Sequence, residues 1–162
     1  MSNSTYYILP VVEGGNGSGL IMSYEWRPCN YFIAQAQGKA KDGMAVRIRP
    51  SNASRLNPVA IPLSTDVMIT FHVTAVCVQP MFWHISVGFP LSTSSRPRQH
   101  VAVGPSPDML FHIERHDDGA AKGYKLVCCN GTGPCESLGL YASKGENWLT
   151  TSASPFVVVF KK

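Results

Sequence analysis

Charge is scarce in this chain. Only 15% of its 162 residues are Asp, Glu, Lys or Arg, against 44% that are hydrophobic. That balance excludes intrinsic disorder and leaves Ser, Thr, Asn, Gly and Pro to face water, as in loop-rich extracellular domains. Long apolar runs are also lacking, and no stretch approaches the ~18 residues of a membrane-spanning helix, so no membrane partner is expected. Helical periodicity is nearly absent, and without a Pro-poor helix to cover a parallel sheet the α/β classes are excluded. The signatures of catalysis are missing too: there is no Gly-x-Ser-x-Gly elbow, no His-Glu-x-x-His and no phosphate loop. Gly14-Gly15-Asn16-Gly17-Ser18-Gly19 imitates a phosphate cradle, but it lacks the Lys-Ser/Thr ending and runs into a strand, so it is assigned as a turn. His72, His84, His100, His112 and His116 are dispersed and are assigned solvent-facing or hydrogen-bonded structural roles. Neither an enzyme nor a cofactor site is expected.

The net charge of +4 is uneven. Residues 1–100 hold eight Lys/Arg against four Asp/Glu, and the remainder six against six. Arg47, Arg49, Arg55, Arg96 and Arg98 carry much of the excess, but they form no dense stripe with interleaved aromatics, so nucleic acid is excluded as a partner. The length suits one domain, residues 1–162, that buries a full core without a metal.

The cysteines are Cys29, Cys77, Cys128, Cys129 and Cys135. Their spacing forms no paired C-x-x-C knuckles, which excludes zinc, and two disulfides with one cysteine left over is the better assignment. Asn-x-Ser/Thr sequons begin at Asn3, Asn16, Asn52 and Asn130, and together with paired cysteines they favour an oxidising compartment. Met1 leads straight into Ser-Asn-Ser-Thr with no secretory leader, so the expectation is the processed form of a secreted or vacuolar protein.

What the chain has instead is short apolar or alternating runs separated by turn residues. They are Tyr6–Val11, Leu20–Tyr24, Tyr31–Ala36, Ala45–Arg49, Val67–Val73, Trp83–Val87, His100–Val103, Leu110–Glu114, Tyr124–Cys128, Leu138–Tyr141, Asn147–Thr150 and Phe156–Phe160. Asp117-Asp118-Gly119 is one of the turn signals between them. Twelve short strands in one domain must close into a barrel or pack as a sandwich to hide their edges. An all-β trefoil, with three pseudo-repeats of four strands near 1–50, 51–104 and 105–162, accommodates them. Phe71, Trp83, Phe111, Tyr124 and Phe160 are expected to fill the core.

Several segments resemble the plant Kunitz-type (soybean trypsin inhibitor) family over essentially the whole chain. They are Thr5-Tyr6-Tyr7-Ile8-Leu9-Pro10, Gly17-Ser18-Gly19-Leu20, Pro62-Leu63-Ser64-Thr65-Asp66-Val67, Trp83-His84-Ile85, Phe111-His112-Ile113-Glu114, Tyr124-Lys125-Leu126-Val127 and Phe156-Val157-Val158-Val159-Phe160-Lys161-Lys162. The Cys77–His84 pattern and the closing Val-Val-Val-Phe-Lys-Lys bring it nearest to the cereal bifunctional α-amylase/subtilisin inhibitors. The resemblance implies a β-trefoil, a seed or defence protein, and a partner that is a subtilisin- or trypsin-like serine protease, with α-amylase as a second target. It also implies disulfides Cys29–Cys77 and Cys129–Cys135, worth about 4 and about 2 kcal/mol by loop closure. Cys128 stands where the family has no cysteine, and is either a buried free thiol or half of an intermolecular disulfide.

The family's inhibitory loop lies between the fourth and fifth strands, here Pro50 to Pro58. The resemblance therefore assigns contact to Ser51, Asn52, Ala53, Ser54, Arg55 and Leu56. One register puts the scissile bond at Ala53–Ser54, which suits a small subtilisin- or elastase-like pocket; the other puts it at Arg55–Leu56, which suits an acidic trypsin-like pocket. A glycan on Asn52 would block either. Asn3 is the nearest match to the family's loop-supporting Asn. A secondary inhibitory surface is implied at Thr74, Ala75 and Val76 (with Ala75–Val76 a third candidate bond), together with Ser64 and Lys125 on the amylase side. Two acidic residues of that amylase surface are replaced by Ser137 and Ser154. Departures at Cys29-Asn30-Tyr31 and in the N-terminal segment, with the loop sequon, leave a non-inhibitory storage or carbohydrate-binding trefoil as the alternative of a different class.

Overall fold

The computed structural model describes residues 4–11, 17–24, 31–38, 41–51, 63–73, 80–86, 99–106, 109–119, 122–129 and 135–162. The strands in chain order are β1 (Tyr7–Pro10), β2 (Leu20–Ser23), β3 (Phe32–Gln35), β4 (Val46–Pro50), β5 (Val67–Phe71) and β6 (Phe82–Ser86). Then come β7 (His100–Gly104), β8 (Phe111–Asp117), β9 (Lys122–Cys128), β10 (Glu136–Ser143), β11 (Glu146–Thr151) and β12 (Val158–Lys161). Each coincides with one of the twelve expected runs, and no helix occurs among the described residues.

Alternation decides which side of each strand is buried. β5 buries Val67, Ile69 and Phe71 and turns Met68 and Thr70 outward; β8 buries Phe111 and Ile113 and turns out His112 and Glu114. Six such strands close on themselves. β1 pairs β12, β12 pairs β9, β9 pairs β8, β8 pairs β5 and β5 pairs β4. The reciprocal Tyr6–Val46 hydrogen bonds, at 2.9 and 2.7 Å, join β4 back to the start of β1. A closed ring leaves no edge to be capped.

The other six strands form the hairpins β2–β3, β6–β7 and β10–β11. They meet as a triangle in which β3 pairs β7, β7 pairs β11 and β11 pairs β3. A six-stranded barrel with a three-hairpin cap is the β-trefoil. Its three units are β1–β4, β5–β8 and β9–β12, so the second boundary falls between Asp117 and Lys122 and not near residue 104. At that boundary Gly119, at φ +85°, donates its N–H to Asp117 Oδ1 at 3.0 Å, which makes the expected turn.

Phe71, Trp83 and Phe111 lie in the core as expected, with the Phe71 and Phe111 ring centroids 5.4 and 6.3 Å from that of Trp83. Tyr124 and Phe160 correct the expectation, since both are only partly buried. They share inward parity with Val158 and Ile8 but sit toward strand ends, where their rings pack at 5.6 Å and Phe160 meets Tyr6 edge-on at 6.3 Å. A second buried cluster, Phe32, Ala34, Ala102 and Trp148, occupies the other face of the cap triangle, with His100 6.0 Å from Phe32. The Trp148 indole N–H reaches Ser143 O at 3.0 Å, which lets so large a polar-tipped ring be buried.

Candidate functional site

The β4–β5 hairpin positions the expected protease-facing segment. Its last rung pairs Pro50 with Val67, and one step further the Ser51 N–H donates to Asp66 O at 3.0 Å. The chain thus leaves the barrel at Ser51 and rejoins it at Asp66. Exposed Ser51 is the only member of the expected set 51–56 among the described residues; Asn52, Ala53, Ser54, Arg55 and Leu56 lie outside them.

The returning strand is clamped from a second side. Leu63 packs against the core, and the Ser64 N–H donates to Ile113 O on β8 at 2.9 Å. Ser64 adopts a left-handed φ of +55°, a conformation that costs a non-glycine residue about 1 kcal/mol and is held here by the neighbouring contacts. Asp66 Oδ1 lies 2.7 Å from His112 Nε2, and Val67 pairs with Phe111. A hydrogen-bonded structural role is what the sequence leads one to expect of His112, but its partner, Asp66, is not foreseen. No local signal could reveal it, because the partners are far apart in the chain and meet only when β5 and β8 pair.

Ser64 and Lys125, expected on the secondary surface, flank β8. Ser64 bonds Ile113, while Lys125 stands across from the next residue, Glu114, with Nζ 3.8 Å from its Oε1. Ser137 pairs with Val127 on the adjoining β9–β10 edge, and Ser154 is exposed in the loop before β12. Thr74, Ala75, Val76 and the loop-support residue Asn3 lie outside the described residues.

Cys129 and Cys135 form the expected disulfide, with Cα atoms 4.3 Å apart. Cys29 and Cys77 lie outside the described residues. Cys128 is a free thiol within the barrel core. Burial pushes its pKa up, and the nearby Glu136 charge adds to the rise. The structure thereby favours the buried-thiol alternative over an intermolecular bridge. Of the glycine-rich run, Ser18 and Gly19 are engaged within the protein, through Gly19 N–H to Lys41 O at 2.7 Å and Ser18 Oγ to Gly38 O at 2.7 Å, while Gly14, Gly15 and Asn16 lie outside the described residues.

The geometry has close relatives. A family profile described as "Trypsin and protease inhibitor" of the legume Kunitz type matches residues 1–162. The "Alpha-amylase/subtilisin inhibitor" of Oryza sativa subsp. japonica is 35% identical over 165 residues, covering 99% of this chain and 78% of that protein. The "Kunitz trypsin inhibitor 4" of Arabidopsis thaliana is 29% identical over 177 residues, covering 100% and 78%. Among solved structures, the rice bifunctional alpha-amylase/subtilisin inhibitor superposes with a TM-score of 0.75 at 32% identity, over 98% of this chain and 89% of that one.

Proposed function

The chain belongs to the plant Kunitz-type family of trypsin and protease inhibitors, and on that premise we propose that it is a serine protease inhibitor which lodges segment 51–56 in a protease cleft as a substrate-like, non-covalent ligand. The family is one of inhibitors, not of enzymes. The observation that carries the proposal is the Ser51–Asp66 hydrogen bond just past the last rung of the β4–β5 pair in a closed barrel, with the return strand clamped to β8. A loop whose ends are fixed before binding loses less conformational entropy in the cleft, and that saving appears as affinity.

Either Ala53–Ser54 or Arg55–Leu56 is the contact bond in this reading. The test is a titration of trypsin, chymotrypsin and subtilisin with the purified protein. Stoichiometric inhibition of at least one at micromolar concentration is expected, and loss of none of the three activities contradicts the proposal. An oxidising compartment, in keeping with the Cys129–Cys135 bond, completes it.

A second target is favoured by the relatives' own names, several of which are alpha-amylase/subtilisin inhibitors at 33–35% identity. In this reading Ser64 and Lys125, on the two flanks of β8, meet an α-amylase, while Thr74–Val76 meets subtilisin. Amylase activity that is unchanged at stoichiometric excess of the protein removes this second target.

A further inference from the structure

The outer face of β4, β5 and β6 bears a cleft of about 450 Å³. Cross-strand register sets its layout. Arg47 stands opposite Thr70, and Thr70 opposite Phe82, so these three make one row across the sheet; Arg49 and Met68 make the neighbouring row. All five line the cleft, with His72 beyond them. Their inward-facing neighbours Val46, Ile69, Phe71 and Trp83 fill the core, so the row is held on a packed support.

The cleft is cationic at one end and apolar at the other. Among the described residues no carboxylate lines it, and none of the ion pairs engages Arg47 or Arg49. Arg47 Nε is shut off from solvent and, among the described residues, has no hydrogen-bond acceptor. A planar guanidinium fork pairs best with a carboxylate-like group. Two residues along a strand span about 7 Å and two strand spacings about 10 Å. An anionic head between Arg47 and Arg49 would therefore leave room for a body of about two aromatic rings lying toward Met68 and Phe82.

We propose that this cleft is a binding site for a small amphipathic anion of the aryl carboxylate class, its carboxylate held by Arg47 and Arg49 and its rings laid along Thr70 against Met68 and Phe82. This proposal does not depend on the inhibitor reading.

Calorimetric titration of the full chain tests it, with biphenyl-4-carboxylate as the probe, biphenyl-4-carboxamide as its neutral isostere and acetate as the bare head group. Saturable one-to-one binding of the carboxylate is expected, with the carboxamide and acetate each weaker by about ten-fold or more. Arg47→Met should abolish the preference for carboxylate over carboxamide while leaving carboxamide binding in place, and that retained binding also reports a folded cleft. Should Arg47→Met not fold, the exposed Arg49→Met must reduce the same preference. Equal affinity for carboxylate and carboxamide, acetate binding as tight as the biphenyl carboxylate, or a preference untouched by both substitutions would overturn the proposal.

Discussion

The two ends of segment 52–62 are held differently. The outgoing end, at Pro50 and Ser51, has one strand beside it and one hydrogen bond past the last rung, from Ser51 to Asp66. The returning end, from Leu63 to Val67, is gripped by β4 on one side and β8 on the other, through Leu63 packing, the Ser64–Ile113 bond, the Asp66–His112 pair and the Val67–Phe111 pairing. Redundancy therefore lies after the segment. A single lost contact there is shared among the rest, whereas the outgoing end has little to replace what it loses.

The largest effect should come from removing the support common to both ends. Phe111→Ala empties the core beside Val67 and should destabilise the protein by about 3–5 kcal/mol in urea unfolding. A loss below about 1 kcal/mol would mean that this ring does not hold up the clamp. Replacing Cys129 and Cys135 together by Ser should lower stability by about 2 kcal/mol, and inhibition measured well below the melting temperature should stay unchanged.

The sharpest contrast comes from one substitution at each end. Ser51→Pro deletes the N–H that closes the hairpin and should weaken inhibition about five-fold, as the loss of one hydrogen bond. Asp66→Ala removes one of several contacts, through a half-exposed pair, and should weaken it only about two-fold. The reverse order would place the controlling anchor at the outgoing end's partner.

The smallest effect concerns Cys128. With its pKa raised above the ordinary 9.0 by burial, the thiol stays protonated at neutral pH and should resist iodoacetamide until the protein unfolds. The folded state binds this proton more tightly than the unfolded chain. The resulting contribution to stability is therefore full below the unfolded pKa near 9.0 and is lost as pH rises through the folded value. Cys128→Ala should flatten that alkaline decline in stability and leave both loop ends as they were.

The strands were legible because alternation and turn residues are local, and all twelve runs lie where the sequence places them. What the sequence could not show are features made by pairing at a distance. The Tyr6–Val46 bridge that closes the barrel and the Asp66–His112 link have no local signature. Tyr124 and Phe160 have the inward parity of core residues, yet their places toward strand ends leave them half-covered, and parity alone does not report distance from a strand end. Trp148 was overlooked as a core residue because its face of β11 is buried only by the meeting of three hairpins. The second repeat boundary was misplaced for the same reason, since β8 belongs to the second unit through its pairing with β5.

The most direct test is mass spectrometry of the protein after prolonged incubation with a catalytic amount of a protease it inhibits. A single slow cut at Ala53–Ser54 or Arg55–Leu56, with the two fragments still associated through the barrel, is the predicted result. Inhibition accompanied by a cut elsewhere, or by rapid digestion that starts between residues 51 and 56, would show that this loop is not what the enzyme grips.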